Sequence, residues 1–203
     1  MNILHIDSSI LGDGSVTRQL TAQAVAQVKA NAAAVTVTHR DLVAQPLSHL
    51  STIEFLERIG TAVEPTAEQQ VEISNGKLAL EEFLAADVVV IGAPMYNFSV
   101  PSQLKAWMDR VAVAGKTFQY TAAGPQGLAG DKRVIVVVGR GGFYGPDTPS
   151  AGFDFQERYL TAFFGFLGVK NVEFVHAEGI AMGPEARAKA IGVAQDEIIK
   201  LAA

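Results

Sequence analysis

The sequence predicts an α/β fold in which a five-stranded parallel sheet carries helices on both faces. Five apolar runs have the length of strands and lie at residues 2–7, 35–42, 87–93, 133–138 and 172–177. The third and fourth runs are nearly continuous in β-branched residues, which is typical of strands covered on both faces. Segments with helical spacing alternate with the runs, so we expect parallel strands joined by right-handed crossovers.

Apolar periodicity places the helices between these strands. Residues recur at helical spacing in segments 17–30, 103–113, 159–167 and 186–201. On the second of these, Trp107 and Met108 lie on the apolar face and are expected in the core. Residues 66–84 predict the main helix of the long second crossover, and Ser51-Thr-Ile-Glu54 has the pattern of a capping box. Residues 115–132 are rich in glycine and are expected to form an ordered excursion without regular secondary structure.

Length and composition limit the class of protein. A chain of 203 residues favours a single domain over residues 1–203. The absence of cysteine excludes a disulfide framework, a thiol nucleophile and a thiolate metal site. The 4 histidines are widely spaced and show no metal-ligand pattern, so we expect no metal.

Charge and hydropathy argue against two kinds of partner. The formal net charge is -5, whereas nucleic-acid binders usually carry a basic face. No apolar stretch is long enough to cross a bilayer, and the first residues lack the basic region and apolar segment of a signal peptide. We therefore expect a cytoplasmic protein that binds neither nucleic acid nor a membrane.

The stretch Pro94-Met-Tyr-Asn-Phe98 is the most informative part of the sequence. It follows the third predicted strand directly. In open α/β sheets, ligands bind beyond the carboxyl ends of the strands. Met95, Tyr96, Asn97 and Phe98 thus offer apolar surface, a phenol and an amide where a flat ligand is expected. Packing at the strand end is the alternative for the two aromatic residues.

The loop after the first strand is rich in hydroxyl groups. Ser8, Ser9, Ser15 and Thr17 precede or open the first helix, and Arg18 adds a cation. The N–H groups and dipole of a helix N-terminus favour a phosphate. A plain N-cap by Ser15 or Thr17 is the alternative. The dinucleotide fingerprint and the NTPase P-loop are both absent.

A third loop, Gly139-Arg-Gly-Gly-Phe-Tyr-Gly145, follows the fourth strand. Its glycines allow backbone N–H groups to approach a ligand closely, although a mobile turn with a solvated Arg140 is the alternative. All three loops follow strands and therefore emerge at one edge of the sheet. Together they suit a mononucleotide with a large planar ring, and flavin mononucleotide (FMN) fits best. The strand spacing suits the flavodoxin-like order 2-1-3-4-5.

These residues carry a family resemblance along nearly the whole chain. The matching segments are Asp7-Ser-Ser9, Ser15-x-Thr17-Arg18, Ala93-Pro-Met-Tyr-Asn-Phe-Ser-Val-Pro-Ser-x-Leu-Lys-Ala-Trp-Met-Asp109, Gly115-Lys-Thr-Phe-x-Tyr120, Arg140-Gly-Gly142, Leu160-Thr-x-Phe163-x-Gly-Phe166 and Ala177-Glu-Gly-Ile180. The chain resembles the FMN-dependent NADH-azoreductase family, whose members also act as NADH:quinone oxidoreductases. One departure is Gly139, where members of the family often have serine.

The resemblance implies a flavodoxin-like homodimer with one tightly bound, non-covalent FMN per subunit and active sites at the subunit interface. The phosphate would be held by Ser9, Ser15, Val16 and Thr17. The ring system would lie along Met95, Tyr96, Asn97 and Phe98, and its pyrimidine end would face Gly139, Arg140, Gly141 and Gly142. Tyr120 and Phe163 would line the pocket over the exposed flavin face.

The resemblance also implies a reaction. NADH would reduce the flavin, and a quinone or azo compound would then take two electrons in the same pocket, which predicts ping-pong kinetics. The protein would position and tune the cofactor, which carries the chemistry. Tyr120 and water both stay open as proton donors to the acceptor. A flavodoxin-type electron carrier and a flavin-sensing scaffold are the competing functions.

Overall fold

The computed structural model describes residues 1–201. Its strands are β1 (Asn2–Asp7), β2 (Thr36–Asp41), β3 (Val88–Pro94), β4 (Phe118–Thr121), β5 (Gly124–Gly127), β6 (Arg133–Arg140) and β7 (Asn171–Glu178). Its α-helices are α1 (Val16–Ala30), α2 (Thr52–Arg58), α3 (Ala67–Ala85), α4 (Ser102–Val111), α5 (Gln156–Phe166) and α6 (Pro184–Lys200).

The main sheet has 5 strands in the order β2-β1-β3-β6-β7, and all of its neighbouring pairs are parallel. This order is the predicted one, because β6 and β7 are the fourth and fifth strands of the sheet. Successive strands are added in one direction from β1 to β2 and in the opposite direction from β3 onward. The boundary between β1 and β3 is therefore the switch point at which doubly wound sheets open a crevice. The loops after these two strands therefore flank that crevice.

Two apolar layers cover the sheet. On one face α3, α4 and α5 pack against residues such as Leu4 and Val89. On the other face α1 and α6 pack against alternate residues such as Ile3 and Val90. Because side chains alternate along a strand, a strand buried on both faces reads as a continuous apolar run. Trp107 and Met108 are both 0% exposed, which confirms their prediction as core residues.

The expectation that residues 115–132 lack regular structure was wrong, because β4 and β5 form an antiparallel hairpin there. The buried Thr117 hydroxyl anchors its base by donating to Val111 O at 2.7 Å. Gly127 lies against the turn after α5, where a Cβ on it would approach Gly168 N to 2.0 Å. The hairpin strands are only four residues long and mostly exposed, and hence left no clear periodic signal in the sequence.

Two element boundaries also differ from expectation. Strand β6 continues through Arg140 instead of ending at residue 138, because Gly139 and Arg140 pair with β7. Ser51 caps α2 by accepting from Glu54 N, but the complete capping box lies at Thr66 and Gln69 on α3. In residues 1–201, every helix is too short or too polar to traverse a lipid bilayer.

Candidate active site

The three predicted loops contact one another at the carboxyl edge of the sheet. The Tyr96 hydroxyl accepts from Ile10 N at 3.3 Å and lies 3.5 Å from Ser9 Oγ, which joins the loops after β3 and β1. Met95 N donates to Gly139 O at 2.8 Å, which joins the loop after β3 to the end of β6. The structure therefore brings the three loops into contact at one edge of the sheet, as the sequence predicted.

The hydroxyl loop is tightly packed against the start of α1. Ser9, Ser15 and Thr17 are 0%, 4% and 2% exposed, and the Ser15 and Thr17 hydroxyls lie 3.0 Å apart. Ser15 is also the N-cap, since its Oγ accepts from Arg18 N at 3.3 Å. The N-cap interpretation is thus correct for Ser15. It is compatible with an anion site, because N–H groups in the first helical turn, including that of Val16, have no acceptor within the helix.

Arg18 does not offer a free cation to this loop. Its guanidinium donates to both carboxylate oxygens of Asp41, at 2.6 and 2.8 Å, and to Ser9 O at 3.0 Å. The hydrogen bonds from Arg18 hold the pKa of Asp41 well below its usual range, so this pair stays charged and mutually neutralised. Arg18 therefore braces the loop through the Ser9 carbonyl.

A tight turn displays the residues after β3. Tyr96 and Ser99 exchange two backbone hydrogen bonds of 3.0 and 3.1 Å across Asn97 and Phe98. Both central residues have positive φ, 48° for Asn97 and 71° for Phe98, as in a type I′ turn. Asn tolerates this region, whereas a bulky residue there is strained. Such strain clusters at functional sites, and the sequence pattern gave no sign of it.

Aromatic neighbours hold the Phe98 ring at this edge. It stacks on Phe153, with centroids 5.2 Å apart, and meets Tyr144 edge-on at 6.4 Å. The Phe98 residue nevertheless remains 44% exposed. The turn therefore presents a flat apolar surface rather than sealing the strand end, which argues against simple packing for Phe98.

A cleft of about 880 Å³ opens beside this turn. It is lined by Ile10, Met95, Tyr96, Asn97, Ser99, Val100, Ser102, Lys105 and Tyr159. Its volume lies in the usual range for cofactor and ligand sites, roughly 300–1,000 Å³. Burial raises the pKa of the Tyr159 hydroxyl, so this group is protonated at neutral pH.

The sequence analysis did not identify Tyr159 or Lys105 as site residues. Tyr159 lies four residues before Phe163, so helical spacing places the two on one face of α5, and their rings are 6.4 Å apart. That spacing was the available signal. Lys105 forms an ion pair with Asp109 across one helical turn, at 2.5 Å, and gave no signal beyond an ordinary exposed pair.

Tyr120 and Phe163 occupy different positions relative to the cleft. Phe163 is half-buried beside Tyr159. Tyr120 lies on β4, is 76% exposed and contacts Phe118 edge-on at 5.6 Å. Among residues 1–201, neither belongs to the lining of the cleft beside Asn97.

Backbone hydrogen bonds anchor the glycine segment at the end of β6, which argues against the mobile-turn alternative for residues 140–142. The carbonyls of residues 140, 141 and 142 accept from the N–H groups of residues 180, 181 and 179, at 3.1, 3.1 and 2.9 Å. These bonds tie the segment to the turn after β7. The backbone of Gly141 and Gly142 is therefore held in one arrangement at the edge of the site.

Arg140 is a buried ion-pair centre, so its interpretation as a solvated loop charge was wrong. Its side chain is 1% exposed and lies 2.9 Å from Asp154, 3.2 Å from Glu157 and 2.9 Å from Glu178. Three carboxylates around one guanidinium are consistent with burial, because a buried charge is tolerated only when it is paired. The side chain therefore links β6, α5 and β7, and only its backbone remains for a ligand.

Comparison with known proteins shows the family to which the chain belongs. Residues 1–201 match a family described as having a flavodoxin-like fold. An FMN-dependent NADH:quinone oxidoreductase from Bradyrhizobium sp. strain BTAi1 is 55% identical over 203 residues, covering 100% of both chains. The chain belongs to the FMN-dependent NADH:quinone oxidoreductase family. A second member of the family, from Methylocella silvestris, is 50% identical over 203 residues and also covers 100% of both chains.

Solved structures confirm the fold of this FMN-dependent NADH:quinone oxidoreductase family member. Azoreductase from Bacillus anthracis strain Sterne superimposes with a TM-score of 0.88 at 29% identity, covering 100% of this chain and 98% of that chain. An FMN-dependent NADH-azoreductase from Bacillus anthracis strain Ames Ancestor, solved in complex with FMN, gives a TM-score of 0.86 at 26% identity, covering 100% of both chains. The family resemblance found in the sequence is thereby confirmed.

Proposed function

We propose that this chain is an FMN-dependent oxidoreductase that uses NADH to reduce quinones and to cleave aromatic azo compounds to amines. The observation that carries the proposal is the contact of three loops through the Tyr96 hydroxyl and the Met95 N–H, in a chain of this family. The cleft of about 880 Å³ beside these loops favours an enzyme over an electron carrier that lacks a substrate pocket. We treat residues 1–203 as one domain. We infer a cytoplasmic location, since a chain without cysteine suits a reducing compartment.

The donors present at the crevice fit FMN. The phosphate would be held by the hydroxyl and first-turn N–H groups of Ser9, Ser15, Val16 and Thr17. The ring would lie along Met95, Tyr96, Asn97 and Phe98, and the backbone of Gly139, Arg140, Gly141 and Gly142 would face its pyrimidine end. When bound, FMN supplies hydride acceptance from NADH and two-electron delivery to the acceptor.

The residues of the chain would bind and orient FMN. Helix N-terminal N–H groups can stabilise a phosphate without a free cation. None is required from Arg18, whose charge is neutralised by Asp41. The Asn97 amide would reach the polar edge of the ring. The glycine backbone, held by the turn after β7, would stabilise negative charge at the pyrimidine end, because fixed dipoles need no reorganisation.

Tyr120 and Phe163 would complete the site across a homodimer interface. Tyr120 is 76% exposed and lies outside the cleft of its own chain, so it is free to cover the cleft of a second copy. Donor and acceptor would then occupy one pocket in turn, which requires ping-pong kinetics. The acceptors would be small planar aromatics, since quinones and azo dyes stack on a flat surface.

NADH oxidation by the purified, FMN-loaded protein tests the proposal. We expect steady turnover with menadione and with methyl red, parallel lines in double-reciprocal plots, and two NADH consumed per azo bond cleaved to amines. Failure of NADH to bleach the bound flavin under anaerobic conditions would refute the enzyme. Full activity from a monomer in sizing experiments would refute the interface site alone.

A further inference from the structure

Two histidines and an aspartate meet on the α1 face of the sheet, where β1 ends just before the proposed phosphate loop. The parallel register of β1 and β2 pairs His5 with His39. His39 Nε2 lies 3.0 Å from Asp7 Oδ2, and His5 Nε2 lies 3.4 Å from the same oxygen. One ligand atom from each residue lies within 4.8 Å of the other two. The sequence prediction of no metal rested on the wide spacing of the histidines along the chain. Parallel pairing of β1 and β2 places His5 and His39 side by side in spite of that spacing.

His5 has an unused nitrogen in this cluster. The residue is 9% exposed, and its Nε2 is buried without a hydrogen-bond partner among residues 1–201. Its 3.4 Å approach to Asp7 Oδ2 is within ion-pair distance but is not a hydrogen bond. Buried polar groups in folded proteins are nearly always partnered, so an orphaned imidazole nitrogen aimed at a carboxylate needs an explanation.

We propose that His5, Asp7 and His39 bind a divalent transition-metal ion, with Zn²⁺ as the best match. Two imidazole nitrogens and one carboxylate oxygen form a common Zn²⁺ ligand set. Tetrahedral bonds of about 2.0–2.2 Å place neighbouring ligand atoms roughly 3.3–3.6 Å apart. Asp7 Oδ2 lies 3.4 Å from His5 Nε2 and 3.0 Å from His39 Nε2, so a small shift of His39 would complete the geometry. His39 is 49% exposed, which gives the ion an entry path and leaves a coordination position for water.

The surroundings of Asp7 support this role. The Thr21 hydroxyl donates to Asp7 Oδ1 at 2.9 Å and so orients the carboxylate while leaving Oδ2 to the ion. Outer hydrogen bonds of this kind commonly fix metal ligands. Arg18 Nη1 lies 3.9 Å from Asp7 Oδ2 and opposes a cation, but Asp41 neutralises that guanidinium with two short hydrogen bonds.

Metal titration of the tag-free, FMN-loaded protein tests the site. After EDTA treatment and dialysis, we expect one Zn²⁺ per chain by calorimetry, and Co²⁺ substitution should give the visible absorption of a four-coordinate site. His39→Ala should weaken Zn²⁺ binding at least tenfold, on the order of what even outer-shell changes cost. Because His39 is half-exposed, this variant should fold, and circular dichroism checks that it does.

A matched control and a second variant make the outcome decisive. His49→Ala removes an exposed histidine outside the cluster and should leave Zn²⁺ affinity unchanged. His5→Gln should weaken binding as His39→Ala does. The proposal is overturned if Zn²⁺ does not bind at micromolar concentration, if His39→Ala and His5→Gln bind it like the wild type, or if His49→Ala abolishes binding.

Discussion

Asn97 combines two roles that substitution can separate. Its φ of 48° shapes the turn, and in the proposed site its amide would meet the ring of a bound flavin. Alanine at this φ costs roughly 1–2 kcal/mol, whereas glycine adopts it freely. Asn97→Ala should therefore lower both the free energy of unfolding and FMN affinity. Asn97→Gly should lower FMN affinity alone, by about tenfold, as expected for one lost hydrogen bond.

Denaturant unfolding of the FMN-free protein and fluorescence titration with FMN measure these two quantities. Unchanged FMN affinity in both variants would remove Asn97 from the site. Equal unfolding free energies in both variants would show that the positive φ has no energetic cost.

Gly139 and Thr17 pack so closely that a larger residue at position 139 requires a smaller one at position 17. A Cβ at residue 139 would lie 2.6 Å from Thr17 Cγ2. Gly139→Ala should therefore destabilise the protein by about 1–3 kcal/mol, the usual cost of overpacking, and weaken FMN binding by moving Thr17. Adding Thr17→Ser removes the methyl group, keeps the hydroxyl and should restore most of both losses.

Thermal unfolding and FMN titration of the single and double variants check this prediction. Thr17→Ser alone is the control for the lost methyl group. A double variant as impaired as Gly139→Ala would contradict the proposed contact. The contact also gives a physical reason why a serine at residue 139 would require an adjustment at residue 17.

Site residues were predictable from the sequence where position alone decides them. Met95 to Phe98 follow a recognisable buried strand, so their location at the sheet edge followed from topology. The burial and pairing of Arg140 could not be predicted in this way. Its partners Asp154, Glu157 and Glu178 come from later parts of the chain, and no local sequence pattern indicates those contacts. Burial of a charge is decided by tertiary pairing, which a single sequence does not display.

At the scale of elements, the β4–β5 hairpin is joined to the fold by a glycine contact. Gly127 touches the backbone of Gly168, and Ala129 N donates to Leu167 O at 2.9 Å. Gly127→Ala should displace the hairpin and with it Tyr120. Because Tyr120 is proposed to cover the cleft of a second copy, we expect kcat/KM for NADH to fall severalfold. FMN affinity should stay unchanged, since the proposed phosphate and ring loops lie elsewhere.

Hydrogen exchange of the hairpin amides provides a direct readout of its displacement. Gly192→Ala is the matched control, because a Cβ there meets no atom within 4 Å and helix α6 should gain slightly in stability. Wild-type protection of the hairpin in Gly127→Ala would contradict the anchoring role of this contact.

The main elements were predictable and the hairpin was not, for one physical reason. The sheet strands and helices bury apolar faces, so their periodicity is written in the sequence. The hairpin strands are mostly exposed and are held by backbone hydrogen bonds and by Thr117 at the base. Such contacts depend on the folded partner rather than on local composition.

At the scale of the whole molecule, an ion pair between β7 and α5 makes stability depend on pH. His176 Nε2 lies 3.0 Å from Glu157 Oε2, and His176 Nδ1 lies 3.9 Å from Glu197 Oε2. The positive charge of Arg140 disfavours protonation of His176. The hydrogen bond to Glu157 raises the pKa of His176 against burial, and the same bond lowers the pKa of Glu157. The pair is therefore fully formed above the unfolded pKa of Glu157 and below that of His176.

This contribution is lost as pH rises through the folded pKa of His176, and again as pH falls through that of Glu157. His176→Gln should lower the free energy of unfolding by less than about 1 kcal/mol near pH 5.5, because the pair is about one-third exposed. The difference from wild type should vanish near pH 9. Urea unfolding at both pH values measures it.

Glu157→Gln serves as the partner variant. In the double variant, the effect of His176→Gln at pH 5.5 should disappear, because the interaction is already gone. A destabilisation by His176→Gln that is equal at pH 5.5 and pH 9 would show that packing, and not charge, explains it.

The Tyr96 hydroxyl links the loop proposed to face the flavin ring to the loop proposed to hold its phosphate, through Ile10 N and Ser9. Two halves of one ligand would therefore be recognised by two halves of one connected surface. Riboflavin keeps the ring and lacks the phosphate. It would leave the proposed phosphate loop without its ligand and, through Tyr96, loosen the proposed ring loop as well. The enzyme would then reject riboflavin more strongly than the missing phosphate contacts alone require, and a single phenol would be the reason.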